Sequence, residues 1–530
     1  MAALDNANVA ARLEEFAALL ELADASPFTS RAYRRAAVLV RALPVPVVDL
    51  VRAGRVRELR GIGPGIERRL RELVETGNIA ELLELERTLS PEIAAAGRLL
   101  GIGARRATEI AAALDLHSVE EFRAAATSGR LREAPGVGPK TEARIRATFE
   151  RDAQTSSKPL LLPRAKALGE RIAEQVGGVA AGDPRRWKDA CTWLAVVAPE
   201  AADLEAVTEI VAMIEPTVGV TIEGVPVEFF VAAPDAWGTA LVRATGSPEW
   251  VARFEPLPQA RTEEEVFAAL GIAPVPPELR EGTLLASSTE LVSVADIRGD
   301  LHCHTTWSDG RASVLEMGTA ARDRGYEYLA ICDHTPNVTV VPGLDADALR
   351  RQAVEIAAAN EQLAPFRILP GAECDIRADG TLDLPDDVLS ELEWVQLSLH
   401  AGQRAPRAEL TARVCEAMRH PAVRCLSHPT GRLIGHRPEN ALDLERTIEV
   451  ALENTVALEV NGLPSRLDLK GEHVQAAIDA GVRIACSTDA HSVEGLANLE
   501  LSVHTARRGG ARATDVVNTQ PLSRLRLRPS

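Results

Sequence analysis

Seven short apolar runs recur through residues 298–495, and each ends in polar or ionisable residues. They are GDLHCH (299–304), YLAICDH (328–334), RILPGAECD (367–375), WVQLSLH (394–400), VRCLSHP (423–429), ALEVNG (457–462) and RIACSTDAH (483–491). Amphipathic stretches such as SVLEMGTAARDRG and HVQAAIDAG lie between most of them. Strand–helix alternation repeated seven times predicts a barrel-like α/β domain. In such a domain the chemistry belongs at the C-terminal ends of the strands. That is where the polar residues fall.

Histidine placement sharpens the expectation. Ten of the eleven histidines follow residue 300, and six of those sit at the ends of these runs. In a strand, the HxH of His302 and His304 puts both rings on one face, as a shared metal requires. HxH, Asp309, CDH (His334), GAE (Glu373), SLH (His400), SHP (His428) and TDAH (Asp489, His491) follow in order. Imidazoles and carboxylates together suit Zn²⁺, Mn²⁺ or Fe. His117, His420, His436, His473 and His504 fall outside these motifs and read as surface or packing residues.

A chain of 530 residues is too long for one core, so about three domains are expected. No apolar run approaches the ~20 residues that span a bilayer, and the acidic, amphipathic N-terminus is not a secretory signal. Seven cysteines with no CxxC fit buried free thiols in a reducing cytoplasm. A net charge of −17 argues at first against nucleic acid, but it is unevenly placed: residues 1–150 carry 22 basic and 21 acidic groups. A near-neutral segment can still present a basic face to phosphates.

That segment reads as helices interrupted by RGIGPGIERRL (60–70), LGIGARRATEI (100–110) and PGVGPKTEARI (135–145). Each has a Gly-apolar-Gly turn before a helix, which frees amides at a helix N-terminus for a phosphate. The apolar residue between the glycines would pin the turn to the core. Three copies resemble helix-hairpin-helix modules, which grip the DNA backbone without reading bases. The candidate DNA contacts are Gly61, Gly63, Gly65, Gly101, Gly103, Gly136, Gly138 and Lys140.

The first hairpin, with SPFTSRAYRRAA (26–37), resembles the lyase domain of the family X DNA polymerases. Arg69 stands where that family carries its Schiff-base lysine, and a guanidinium cannot serve as that nucleophile. Lyase activity of that type is therefore expected to be weak or absent. Residues 156–285 resemble the family's palm and thumb. Gly182, Arg185 and Arg186 fit the start of the palm pattern, but Asp183 replaces its serine, and Trp193 and Ala195 stand where paired aspartates are expected. Glu228 takes the place of the third acid, and Arg243-Ala244 replaces the aromatic pair before Thr245-Gly246-Ser247. One glutamate cannot hold two hard cations. Sliding the register onto Asp183 or Asp189 does not recover two acids one residue apart on a strand. Loss of nucleotidyl transfer is the expectation.

Residues 298–530 resemble the polymerase and histidinol phosphatase (PHP) superfamily, above all the PHP domain fused to bacterial family X polymerases, including the RGDLH entry and the ARRGGARATDVVNT tail. The resemblance implies two or three divalent ions. His302, His304, Glu373 and Asp489, the catalytic set, would surround one, and Glu373 would bridge to a second held by His400 and His428. Asp309, His334 and His491 would hold a third. Arg432 and Arg466 are candidate phosphate clamps.

The expected architecture is multidomain. It has an all-α helix-hairpin-helix N-terminal region (1–85 lyase-like, 86–155 fingers-like), an α+β polymerase X palm/thumb-like segment with linker (156–297), and an α/β PHP domain (298–530), a distorted seven-stranded β/α barrel. The function implied is a metal-dependent (Mn²⁺ or Zn²⁺, with Fe as a further option) DNA phosphoesterase in repair, acting on 3′ ends or abasic sites. Its partner would be gapped, nicked or 3′-ended DNA, with no membrane, and the protein is expected to be a monomeric, cytoplasmic, nucleoid-associated one. The rivals are an active gap-filling polymerase, a phosphatase of small monoesters, and a DNA-binding scaffold without catalysis.

Overall fold

The structure, a computed structural model, describes residues 6–22, 27–41, 43, 46–59, 61–88, 90–150, 159–282, 290–338 and 341–525. The expected boundary at 155/156 and part of the linker before residue 297 lie outside the described residues. The chain divides into two compact units: residues 1–160, 168–180 and 192–232 form one, and 161–167, 181–191 and 233–530 the other.

Among the described residues the first unit begins with nine α-helices: α1 (Asn6–Leu22), α2 (Pro27–Arg41), α3 (Val47–Arg52), α4 (Pro64–Thr76), α5 (Ala80–Thr88), α6 (Pro91–Leu99), α7 (Ala104–Leu114), α8 (Val119–Ser128) and α9 (Pro139–Glu150). Local chemistry sets their ends. Ser90 and Ser118 cap α6 and α8 by accepting from the amides of Ile93 and Glu121, and Gly77 and Gly129 close α4 and α8 in the left-handed conformation that glycine adopts without a Cβ clash. Leu13, Phe16, Leu19, Leu70 and Leu73 centre one core; Ile110, Phe122, Leu131 and Ile145 centre another.

Among the described residues seven strands follow along the chain: β1 (Leu160–Leu161), β2 (Val179–Gly182), β3 (Ala190–Cys191), β4 (Leu194–Pro199), β5 (Ile210–Glu215), β6 (Val218–Thr221) and β7 (Pro226–Ala232). In the first unit four of them run side by side in the order β4-β7-β6-β5. β4 and β7 are parallel with Ala195 opposite Glu228, and the β7–β6 and β6–β5 pairs are antiparallel.

The barrel dominates the second unit, and each of the seven apolar runs carries one of its strands. They are β8 (Gly299–Cys303), β9 (Tyr328–Ile331), β10 (Arg367–Asp375), β11 (Trp394–Ser398), β12 (Val423–Leu426), β13 (Ala457–Asn461) and β14 (Ile484–Ser487). They lie side by side in chain order, and every adjacent pair is parallel. A bridge between Cys303 and Ala490 brings the first strand's end to the segment after the last, so the sheet is nearly closed. Strands covered on both faces read as unbroken apolar runs, and β8, β11 and β13 are buried at every position. Helices return the chain between strands. Val314–Asp323 starts at a reciprocal Ser313–Glu316 capping box, and Ala346–Leu363 starts at Asp345. The seven cysteines are buried and unpaired. Among the described residues no helix is long and apolar enough to cross a membrane.

Candidate metal centre

Because the strands are parallel and in sequence, their C-terminal ends meet at one end of the barrel. His302 and His304 leave β8 there with ring nitrogens Nε2 3.2 Å apart, and His304 Nε2 lies 3.1 Å from Asp489 Oδ1. Glu373, on β10, is fully buried. Three rings converge on its carboxylate: His334 Nδ1 at 2.8 Å, His428 Nε2 at 2.9 Å and His400 Nε2 at 3.6 Å. Asp309 faces His491 at 3.3 Å, His334 at 3.6 Å and His304 at 3.8 Å.

Three groups of donors are close enough to share an ion: His302, His304 and Asp489; His334, Glu373 and His400; and His304, Asp309, His334 and His491. His334 stands between two of them, against Glu373 as well as Asp309, whereas the family resemblance puts it with Asp309 and His491 alone. His428 reaches Glu373 without belonging to any of the three.

The donor chemistry fits divalent cations. Nδ1 of His304 and Nδ1 of His428 are buried with no hydrogen-bond partner among the described residues. Polar atoms left so are rare in a native interior unless something else fills their valence. His491 is bonded through Nδ1 to the Asp489 carbonyl at 2.8 Å, which leaves its Nε2 lone pair for Asp309's side of the site. Two candidate ligands, His428 (φ 25°) and Asp489 (φ 53°), hold left-handed backbone that costs a non-glycine residue energy.

The electrostatics separate the donors. Burial opposes charge on Glu373 and Asp489, yet the surrounding imidazoles outweigh it and hold both carboxyls well below the usual range. Burial also disfavours a charged His334, but Glu373 and Asp309 overcome it and push its pKa up to about 10. His304 goes the other way, to about 4, through burial first and then the neighbouring His334 charge. A metal ligand must be deprotonated: His304 is held so, whereas a cation would have to displace the proton on His334.

Sequence reading passed over Glu459. It is fully buried in β13. It accepts from His302 Nδ1 at 2.7 Å, the His428 amide at 2.7 Å, Gln396 Nε2 at 3.0 Å and Ser427 Oγ at 3.1 Å. The bond to His302 turns that ring's Nε2 towards the other donors. Asn461, two residues on and so on the same face, donates to Asp489 Oδ2 at 2.9 Å. An acid and an amide two apart in the run ALEVNG were the available signal.

The hairpins are not equivalent. Ile62 and Val137 are buried between their glycines, as a pinned turn requires, while Ile102 is half-buried. Among the described residues the amides of Gly61, Gly63, Gly136 and Gly138 have no backbone acceptor, whereas those of Gly101 and Gly103 donate to Arg98 and Gly97. Gly97 allows this: a Cβ there would lie 2.6 Å from the Gly103 carbonyl oxygen. Gly65 lies in the first turn of α4, and Lys140 is exposed in that of α9. Arg69 is tied to Glu72 at 2.8 Å and to Glu81.

In the palm-like segment Trp193 precedes β4, and its indole N–H donates to Glu228 at 3.1 Å. Ala195 is fully buried, and β4 carries no carboxylate. In the second unit, after Gly182, both arginines are engaged. Arg185 makes a two-pronged pair with Glu263 at 2.7 and 2.9 Å, and Arg186 meets Glu281 at 3.0 Å and Asp183.

Burial alone would raise the Glu263 and Glu278 carboxyls, but Arg185 and Arg280 around the one, and His504 and Arg507 around the other, hold each at about 2 against an ordinary 4.5. A folded pKa below the unfolded one contributes stability above about pH 4.5 that is lost as pH falls towards 2, on the order of 3 kcal/mol each. Urea midpoints should therefore fall steadily between pH 5 and pH 3, and Glu263→Gln should flatten that slope. An unchanged slope would count against the pairing.

Comparison with known proteins bears on the hairpins, on the chain as a whole and on the barrel. Residues 4–79 match the model of a helix-hairpin-helix domain and 97–151 that of a SAM-like helix-hairpin-helix tandem. The DNA polymerase/3′-5′ exonuclease PolX of Bacillus subtilis is 31% identical over 96% of this chain and 96% of its own. The chain belongs to the PolX family. Within it the barrel is PHP-like: a probable phosphatase of Acetivibrio thermocellus is 32% identical over 36% of this PolX chain and 78% of its own. A solved Listeria monocytogenes structure, proposed to be a histidinol phosphatase, covers 37% of the chain and 97% of its own at 15% identity and a TM-score of 0.31.

Proposed function

We propose that this PolX-family protein is a divalent-metal-dependent DNA phosphoesterase, releasing nucleotides from 3′ ends or processing abasic sites in repair, and that its polymerase-like segment no longer transfers nucleotides. The observation that carries the reading is the convergence of nine imidazole and carboxylate donors, two of the rings with an unfilled buried nitrogen, at one end of a parallel barrel. Ions bound there would lower the pKa of a water and stabilise charge on the attacked phosphate. The chain's own part is to hold the donors. Glu373 gathers His334, His400 and His428, Glu459 sets the His302 ring, and Asn461 steadies Asp489. The first and third hairpins offer amides to the DNA backbone. A small-molecule phosphatase has no use for them, and a scaffold has no use for nine converging donors.

Loss of nucleotidyl transfer is supported by Trp193 and Ala195 in place of acids, by Glu228 serving as the indole's acceptor, and by Arg185 and Arg186 already paired. The name of the Bacillus subtilis relative favours an active polymerase as the second reading. One assay separates them: labelled gapped DNA with the full chain, with and without nucleotides, in Mn²⁺, Mg²⁺ and Zn²⁺. The expected result is 3′-end shortening that needs a metal, with no extension. Templated incorporation would establish the polymerase reading. Hydrolysis of histidinol phosphate with DNA spared would make it a phosphatase, and binding without any product a scaffold.

A further inference from the structure

Arg432 follows the His428 turn, and its side chain is 10% exposed. A guanidinium has five N–H donors and no acceptor, and here each of its three nitrogens meets a protein group. Nε donates to the Arg466 carbonyl at 2.8 Å, Nη2 to the Leu467 carbonyl, and Nη1 lies 2.6 Å from Asp189 Oδ2. An arginine gripped on three sides is fixed in orientation. Arg466 is different. Its Nε lies 3.9 Å from Asp489 Oδ2, and its Nη1 is buried with no hydrogen-bond partner among the described residues.

Asp189 is itself held. Its Oδ1 accepts from the Ala190 amide at 3.0 Å. The segment before it is fastened by Arg508, which donates to the Arg186 carbonyl at 3.2 Å, and by Trp187, stacked on His504 with 3.5 Å between ring centroids.

We propose that Asp189, an acid of the polymerase-like segment, is a positioning residue for the metal centre. It orients and neutralises Arg432, whose hold on the carbonyls of residues 466 and 467 aims Arg466 at a phosphate beside Asp489. This rests on the phosphoesterase reading above. Charge-assisted pairs fix geometry most firmly, and removing one partner of a buried pair leaves the other uncompensated. Without Asp189 the Arg432 guanidinium turns to new acceptors, and the 466–467 backbone loses its anchor.

The test uses the full chain with 3′-ended DNA and Mn²⁺, comparing the natural protein with Asp189→Asn, Asp189→Glu, Arg466→Ala and the Asp189→Asn/Arg466→Ala double variant. Asp189→Asn should lower kcat/KM about tenfold, in the range of groups that orient metal-site side chains, chiefly through KM. Mn²⁺ affinity by calorimetry should stay within about twofold, since Asp189 touches no donor of the centre. Asp189→Glu should recover most of the loss, and Asp189→Asn should cost nothing further once Arg466 is gone. Activity of Asp189→Asn equal to the natural protein's, losses that multiply in the double variant, or weakened Mn²⁺ binding would each overturn the proposal. If the natural protein shows no metal-dependent hydrolysis, the phosphoesterase reading falls and this inference with it.

Discussion

Replacing Glu373 by glutamine should lower metal-dependent hydrolysis of 3′-ended DNA by about three orders of magnitude. Bound ions are worth several kcal/mol of transition-state stabilisation, and each ~1.4 kcal/mol is a factor of ten in rate. Glu373 is the anion to which three rings turn, at 2.8, 2.9 and 3.6 Å. An amide of the same shape keeps the packing but loses the charge, and its nitrogen donates where ligands must accept. The measurement is kcat/KM in Mn²⁺ together with the metal content of the purified protein. A variant that keeps a tenth of the activity would remove Glu373 from the centre.

Glu459→Gln should weaken metal affinity about 10–100-fold while leaving all nine donors in place, the usual cost of losing a partner behind a metal ligand. The carboxylate accepts from His302, Gln396, Ser427 and the His428 amide together. A glutamine must turn an NH₂ towards at least one donor, so a buried clash of donors follows. His302 would then be free to present the wrong nitrogen. Competitive titration against a chelator reads the effect. Affinity unchanged from the natural protein would mean that His302 is oriented by something else.

The barrel and its donors were legible because parallel strands buried on both faces leave a simple trace: apolar runs whose ends carry the chemistry. Each of the seven runs holds one strand. Glu459 escaped because it sits inside such a run, where only the partners brought by other strands show why a carboxylate is tolerated. The hairpin repeat was visible, but its inequality was not. Whether Gly103 offers its amide outward depends on how closely α6 and α7 approach at Gly97, which three similar motifs do not record. The palm-like segment was read from what it lacks. That Trp193 donates to Glu228, and that Asp189 pairs with Arg432, depends on residues far apart in the chain. No periodicity links them.

The barrel's closure bears on how the molecule comes apart. Its strands are laid down in chain order, so every neighbour pair but one forms between successive segments. The exception is the seam, where backbone bonds from Asp489 to His302 (3.0 Å) and from His304 to Ala490 (2.8 Å) bring the ends together. The His302, His304 and Asp489 group straddles that seam. An ion bound there would act as a clasp, stabilising the closed sheet by mass action as its occupancy rises. Removing such an ion would then cost the protein endurance as well as chemistry.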